Sequence, residues 1–144
     1  MKVLYLGCFC EPTISTFIKE CTKEVITVSA TTFQKALLAG CNECGIRPDY
    51  IVNVPDIGSF PFRCNNLFFS KYKFEYASIK GVNASFFNVT YLKKCSIYHT
   101  IMREAKLWLN KNREEKVTIL VYSLIYPYLK AAIDLKKMYP NVKI

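Results

Sequence analysis

The sequence predicts an α/β fold: a doubly wound, mainly parallel sheet with helices on both faces. Short apolar runs alternate along the chain with stretches of helical period, the order that parallel strands joined by crossover helices produce. The opening run, Lys2-Val3-Leu4-Tyr5-Leu6-Gly7, is apolar at consecutive positions, as in a strand covered on both faces. A later run, Val117-Thr118-Ile119-Leu120-Val121-Tyr122, is β-branched and apolar almost throughout.

Taken in order, the first strand ends at Gly7, where a glycine lets the chain turn sharply and lets a ligand approach the backbone. Pro12 to Cys21 offers Ile14, Phe17, Ile18 and Cys21 at helical spacing. Val25 to Val28 is a brief β-prone patch. Ser29, Thr31 and Thr32 are candidate N-caps for a helix from Phe33 to Cys44, whose stripe is Phe33, Leu37, Cys41 and Cys44 and whose C′ residue is Gly45. Asp49 to Val54 reads as the second strand, and the turn-rich segment Ile57 to Phe62 follows it. Residues 63–83 show no clear period, and Ser85 to Val89 reads as the third strand. A helix from about Leu92 to Asn112 carries Ile97, Ile101, Ala105 and Trp108 on one stripe. After the strand at Val117–Tyr122, Pro127 sits where a helix accepts proline, and Tyr128, Ala131, Ala132, Leu135 and Tyr139 form the next apolar stripe up to Pro140. Asn141 to Ile144 reads as the first residues of another strand, so the chain is expected to stop short of a following domain.

The 144 residues make one domain by length, and 51% hydrophobic with 15% aromatic residues is the composition of a chain that buries a core. The net charge of +9 points to an anionic partner. Seven cysteines, an odd number, and the lack of a secretory segment imply reduced thiols and a cytoplasmic location. Every apolar run falls far short of the ~20 residues that span a bilayer.

Several motifs invite chemistry and each has a plainer reading. The loop after Gly7 has Phe9 and Pro12 where a dinucleotide-binding turn needs glycines, and the chain has no phosphate-cradling Walker sequence. Cys8 and Cys10 occupy a strand-end loop where a phosphatase nucleophile sits, but residues 9–18 contain no arginine to hold a phosphate, so the two read as small half-buried hydrophobes. Cys41 and Cys44 have the spacing of half a zinc site, yet they fall on an apolar helical stripe and core packing accounts for them; no metal is expected. His99, the single histidine, lies mid-helix and reads as a solvated residue. The basic and aromatic run from Arg63 to Lys94 has the composition of a single-strand nucleic-acid platform, but without an RNA-binding signature it reads as a membrane-facing or solvated basic surface, and no nucleic acid is expected.

Three stretches together resemble a known family. Val28 to Leu38, the loop Pro55-Asp-Ile57-Gly58-Ser59-Phe60-Pro61, and Val121-Tyr122-Ser123 followed by Tyr126 to Pro140 are similar, in order, to the amino-terminal domain of GT-B glycosyltransferases, group 1 / family 4, of the bacterial polysaccharide type. The resemblance implies a Rossmann-like acceptor domain and a second, donor-binding domain outside this sequence. It implies transfer of a sugar from a nucleotide-sugar to a saccharide or lipid-linked acceptor, with no cofactor or metal and with this stretch inactive alone. By position, Gly7, Cys8 and Phe9 would face the donor phosphates and acceptor, and Ser123, Leu124 and Ile125 would line the acceptor side. Many relatives carry a histidine in one of these loops and this chain has none there, so no catalytic residue is assigned. Peripheral docking of the basic surface on the inner face of an anionic membrane would bring a lipid-linked acceptor to the cleft. The competing reading is a stand-alone flavodoxin-like module that binds a small phosphorylated ligand.

Overall fold

Along the first strand the side chains alternate between two separate cores. Leu4 and Leu6 pack with Val52, Val82 and Ile119, while Tyr5 packs with Ile51 and Ile79. This is the period-two signature of a strand covered on both faces. A computed structural model describes residues 1–24 and 28–144.

The elements are β1 (Lys2–Gly7), α1 (Pro12–Cys21), α2 (Val28–Glu43), β2 (Tyr50–Asn53), β3 (Phe68–Phe69), β4 (Tyr72–Tyr76), β5 (Ile79–Asn83), β6 (Phe86–Phe87), α3 (Lys93–Lys111), β7 (Val117–Val121), α4 (Tyr126–Met138) and β8 (Val142–Lys143). The main sheet has six strands in the order β4-β5-β2-β1-β7-β8. All neighbours are parallel except β4, which pairs antiparallel with β5 at the edge. The fold is therefore α/β with a mostly parallel sheet. The chain leaves β1 toward β2 and β5 on one side, then returns to place β7 and β8 on the other. The strand order thus reverses between β1 and β7.

One face of the sheet is covered by α1, α3 and α4 through Ile14, Ile18, Ile101, Ala105, Ala131 and Leu135. Leu38 of α2 lies in the opposite core with Tyr5, Phe9, Ile51 and Ile79. Burying a side chain such as Leu38 contributes about 2 kcal/mol, so each face carries real stabilisation. Among the described residues no helix is long and apolar enough to cross a membrane.

Several expectations need correction. Helix α2 starts at Val28, so Ser29, Thr31 and Thr32 lie inside it, and its buried residues are Gln34 and Leu38 rather than Phe33 and Leu37. The stripe is rotated by one position, leaving Phe33 60% exposed. Gly45 does end this helix region with φ +71°, as a C′ glycine should. The expected β patch at Val25–Val28 lies outside the described residues except for Val28, which opens α2. The third parallel strand is Ile79–Asn83, not Ser85–Val89. Only Phe86 and Phe87 of the latter are extended, paired antiparallel with β3 in a separate two-stranded sheet. Residues 63–83, expected to lack structure of clear period, hold β3, β4 and β5.

Candidate functional site at the carboxyl edge of the sheet

The loop after β1 is set by groups far away in sequence. Three successive backbone amides are consumed inside the protein: Cys8 N–H donates to Gln34 Oε1 (2.9 Å), Phe9 N–H to Asn53 Oδ1 (3.0 Å) and Cys10 N–H to Thr31 Oγ1 (3.1 Å). Gly7 is required because a Cβ there would lie 2.7 Å from the Tyr5 ring and 3.2 Å from Asn53 Oδ1. Asn53 also donates to Phe9 O (2.8 Å) and to Asn83 Oδ1 (2.5 Å). Asn83 donates in turn to the Tyr72 hydroxyl, which donates to Glu11. The Glu11 carboxylate caps α1 by accepting the Thr13 and Ile14 amides, each at 2.9 Å. Burial and then the Glu11 carboxylate push the Tyr72 hydroxyl above its ordinary pKa, so it stays a donor. The tips of β1, β2 and β5 are thereby locked into one buried polar chain.

Over this base two small cavities open on either side of the segment Asp56 to Ser59. The first, about 240 Å³, is bounded by Cys8, Ile18, Thr31, Asp56, Gly58 and Arg63. The second, about 200 Å³, is bounded by Asp56, Ser59, Lys93, Ile125 and Tyr128. Asp56 borders both. The dividing segment is pinned from every side. Asp56 N–H donates to Cys8 O (3.1 Å), Asn88 Nδ2 to Gly58 O (2.9 Å), Tyr128 OH to Val54 O (2.8 Å) and Lys93 Nζ to Ile57 O. A Cβ on Gly58 would fall 2.3 Å from the Cβ of Arg63, so only glycine fits there. Burial lowers the Lys93 pKa, opposed by the nearby Asp56 carboxylate. Arg63 is paired with Glu24 at 3.2 Å on the far wall of the first cavity.

This edge brings together Gly7, Cys8 and Ser123 of the sequence-predicted site. Parallel pairing of β1 with β7 sets Leu6 opposite Val121, Tyr122 N–H donates to Leu6 O (3.3 Å), and the buried Ser123 hydroxyl accepts the Ile125 amide (3.2 Å). Ile125 lines the second cavity. The Phe9 side chain is fully buried against Phe74 and Tyr76, at ring-centroid distances of 6.0 and 5.7 Å, and lines neither cavity. Leu124 is 86% exposed and lines neither cavity. The three loop amides of Cys8, Phe9 and Cys10 have their partners within the protein.

The two cysteines of the loop after β1 are chemically quiet. Burial pushes the Cys8 thiol up to about 11 and raises Cys10 as well, which keeps both protonated near neutral pH. Cys41 is half-buried and Cys44 exposed, and among the described residues no three His, Cys, Asp or Glu side chains converge in a metal-holding group. His99 is exposed, edge-on to Tyr98.

Reading the sequence missed Asp56, Lys93, Gln34, Asn53, Asn83 and Glu11. Some of these left a signal. Two apolar strands end in the same Val-Asn pair (Val52-Asn53 and Val82-Asn83), and Glu11 directly precedes a helix-opening proline. Comparison of the chain with models of protein families, with curated proteins and with solved structures finds no match.

Proposed function

We propose that this chain is the acceptor-binding, Rossmann-like amino-terminal domain of a GT-B type glycosyltransferase. The observation that carries the reading is the position of the two-lobed crevice. It lies outside the carboxyl ends of β1, β2 and β7, at the point where the strand order reverses, and open α/β sheets bind their ligands at such points. Counting parallel strands in chain order, the sheet runs 3-2-1-4-5, the Rossmann-type order. A flavodoxin-like module would run 2-1-3-4-5, so the topology favours the first reading over its competitor.

In this reading the acceptor saccharide lies across the Asp56–Ser59 segment. The Asp56 carboxylate accepts hydrogen bonds from sugar hydroxyls reaching into either lobe. Lys93 and Lys94, both on the wall of the second cavity, attract the phosphate of a lipid-linked acceptor. The two lobes together reach the lower part of the range for small-molecule sites, roughly 300–1,000 Å³. The locked loop after β1 serves as a rigid floor, and the nucleotide-sugar arrives from a second domain across the rim.

Titration calorimetry with a panel of saccharides and saccharide phosphates tests this. The expected result is binding of at least one compound, weakened about tenfold or more by Asp56→Asn, the loss of one charge-assisted hydrogen bond. Binding that is indifferent to Asp56→Asn, or no binding across the panel, would refute it.

A further inference from the structure

The two edges of the main sheet are finished differently. At one edge β8 is only two residues long, too short to serve as a template. At the other, β4 runs for five residues, Tyr72-Lys73-Phe74-Glu75-Tyr76, with no proline and, in its continuous register with β5, no bulge. Among the described residues no strand pairs with its outer side. A regular, unpaired edge of this kind is a template for another strand. The direction of its backbone groups follows from the hairpin. The turn Ala77-Ser78 has φ +49° and +60°, the type I′ form in which the flanking residues, Tyr76 and Ile79, face each other as a hydrogen-bonded pair. Such pairs alternate along an antiparallel ladder, so Tyr72, Phe74 and Tyr76 turn their N–H and C=O groups to β5. The backbone groups of Lys73 and Glu75 point outward.

We infer that β4 pairs antiparallel with the β4 of a second copy of this chain, about a two-fold axis at Phe74, joining two six-stranded sheets into one. The strand's own pattern selects that partner. Laid against itself end for end, it sets Phe74 opposite the partner's Phe74, Lys73 opposite the partner's Glu75 and Tyr72 opposite the partner's Tyr76. Lys73 and Glu75 are exposed on one face of the strand, so opposite charges meet there on both sides of the axis. The half-buried rings of Tyr72, Phe74 and Tyr76 meet on the other face. The backbone agrees with this register. Lys73 N–H donates to the carbonyl of the partner's Glu75, Glu75 N–H donates to the carbonyl of the partner's Lys73, and both bonds repeat across the axis. The next registers on either side would set Lys73 against the partner's Lys73 or Glu75 against the partner's Glu75, so the charges also hold the register. No residue of β4 lines either lobe of the saccharide crevice, and the inference does not rest on the transfer reaction.

Analytical ultracentrifugation of the full chain tests this, at about 0.15 M ionic strength, where repulsion between copies of charge +9 is screened beyond about 8 Å. The wild type should form a reversible dimer. Lys73→Glu and Glu75→Lys each place like charges opposite one another, and each should raise the dissociation constant about tenfold or more. Mixed in equal parts, the two variants restore an opposite charge at every pair and should associate within about threefold of the wild type. Rescue on mixing separates loss of pairing from loss of folding. On the wild type alone, amide exchange should slow at Lys73 and Glu75 as concentration rises, while Tyr72, Phe74 and Tyr76, already bonded to β5, stay as they are. Four results would each overturn the inference. They are a wild type that remains monomeric up to about 1 mM, even if an unrelated extended peptide protects the same two amides; a dimer that both variants leave intact; variants that mixing does not rescue; and a dimer whose new amide protection falls away from Lys73 and Glu75.

Discussion

Replacing Asn53 by alanine cuts the buried chain that holds the strand tips together, and its cost follows from the contacts. Asn53 accepts the Phe9 amide at 3.0 Å and donates to Phe9 O at 2.8 Å and Asn83 Oδ1 at 2.5 Å. Asn53 and Phe9 are both fully buried, and Asn83 nearly so. The substitution strands three polar groups out of reach of bulk water, each worth about 1–3 kcal/mol. A water molecule drawn into the space left by the amide recovers part of that, since such a site offers it several partners. The expected loss is about 3–5 kcal/mol, a large share of the 5–15 kcal/mol typical of a whole domain. Urea unfolding followed by circular dichroism reads this directly. With a slope near 2 kcal/mol per molar, the midpoint should fall by about 1.5–2.5 M at unchanged slope. Asn83→Ala should cost less, and the double variant should be markedly less than additive because the two residues share a bond. A loss under about 1 kcal/mol for Asn53→Ala would refute the claim that this network fixes the loop.

Other consequences follow from single features. Exposed Cys44 and Cys95 should react with iodoacetamide within minutes at pH 8, while Cys8 and Cys21, lifted by burial to about 11 and about 12, stay thiols and are spared until the pH approaches those values; native-state labelling of Cys8 as fast as Cys44 would contradict this. Gly45→Ala should destabilise by roughly 1 kcal/mol, because φ +71° strains any residue with a Cβ even though the space around it is open; an unchanged melting temperature would count against it. Hydrogen bonds from Lys130, then Tyr98, hold the Asp134 carboxyl below its usual value. Its contribution is therefore present above the unfolded carboxylate pKa of about 3.9 and is lost as pH falls through the lower folded value. Asp134→Asn should flatten that acid limb of the stability curve, and an unaltered limb would dismiss the role.

How much of this was legible in the sequence varied by element. The β1, β2 and β7 runs and the α3 and α4 stripes announced themselves because burial on these elements is decided by local period, and so did the α1 stripe save for Phe17, which is exposed. The α2 stripe did not, since Phe33 is the more hydrophobic residue and yet it is Gln34 that is buried, for the hydrogen bonds it makes to Tyr5 and Cys8. Strand β5 escaped because Lys80 and Gly81 interrupt it. Gly81 is needed there, as a Cβ would lie 2.7 Å from the Phe74 ring of β4. The alternation Tyr72-Lys73-Phe74-Glu75-Tyr76 was a readable signal for the antiparallel edge strand. In the crevice, adjacency of Gly7 to Ser123 followed from parallel order alone. The burial of Phe9 did not, because it depends on Asn53, 44 residues away in sequence.

The proposed function requires a saccharide-bearing ligand to enter the crevice divided by the Asp56–Ser59 segment. An amide-resolved NMR titration with the tightest saccharide found by calorimetry tests it most directly. Shifts are expected to concentrate at Cys8, Thr31, Asp56, Gly58, Lys93 and Ser123. Shifts confined to the groove beside Phe17 and Phe68, or scattered along the outer helices, would contradict it.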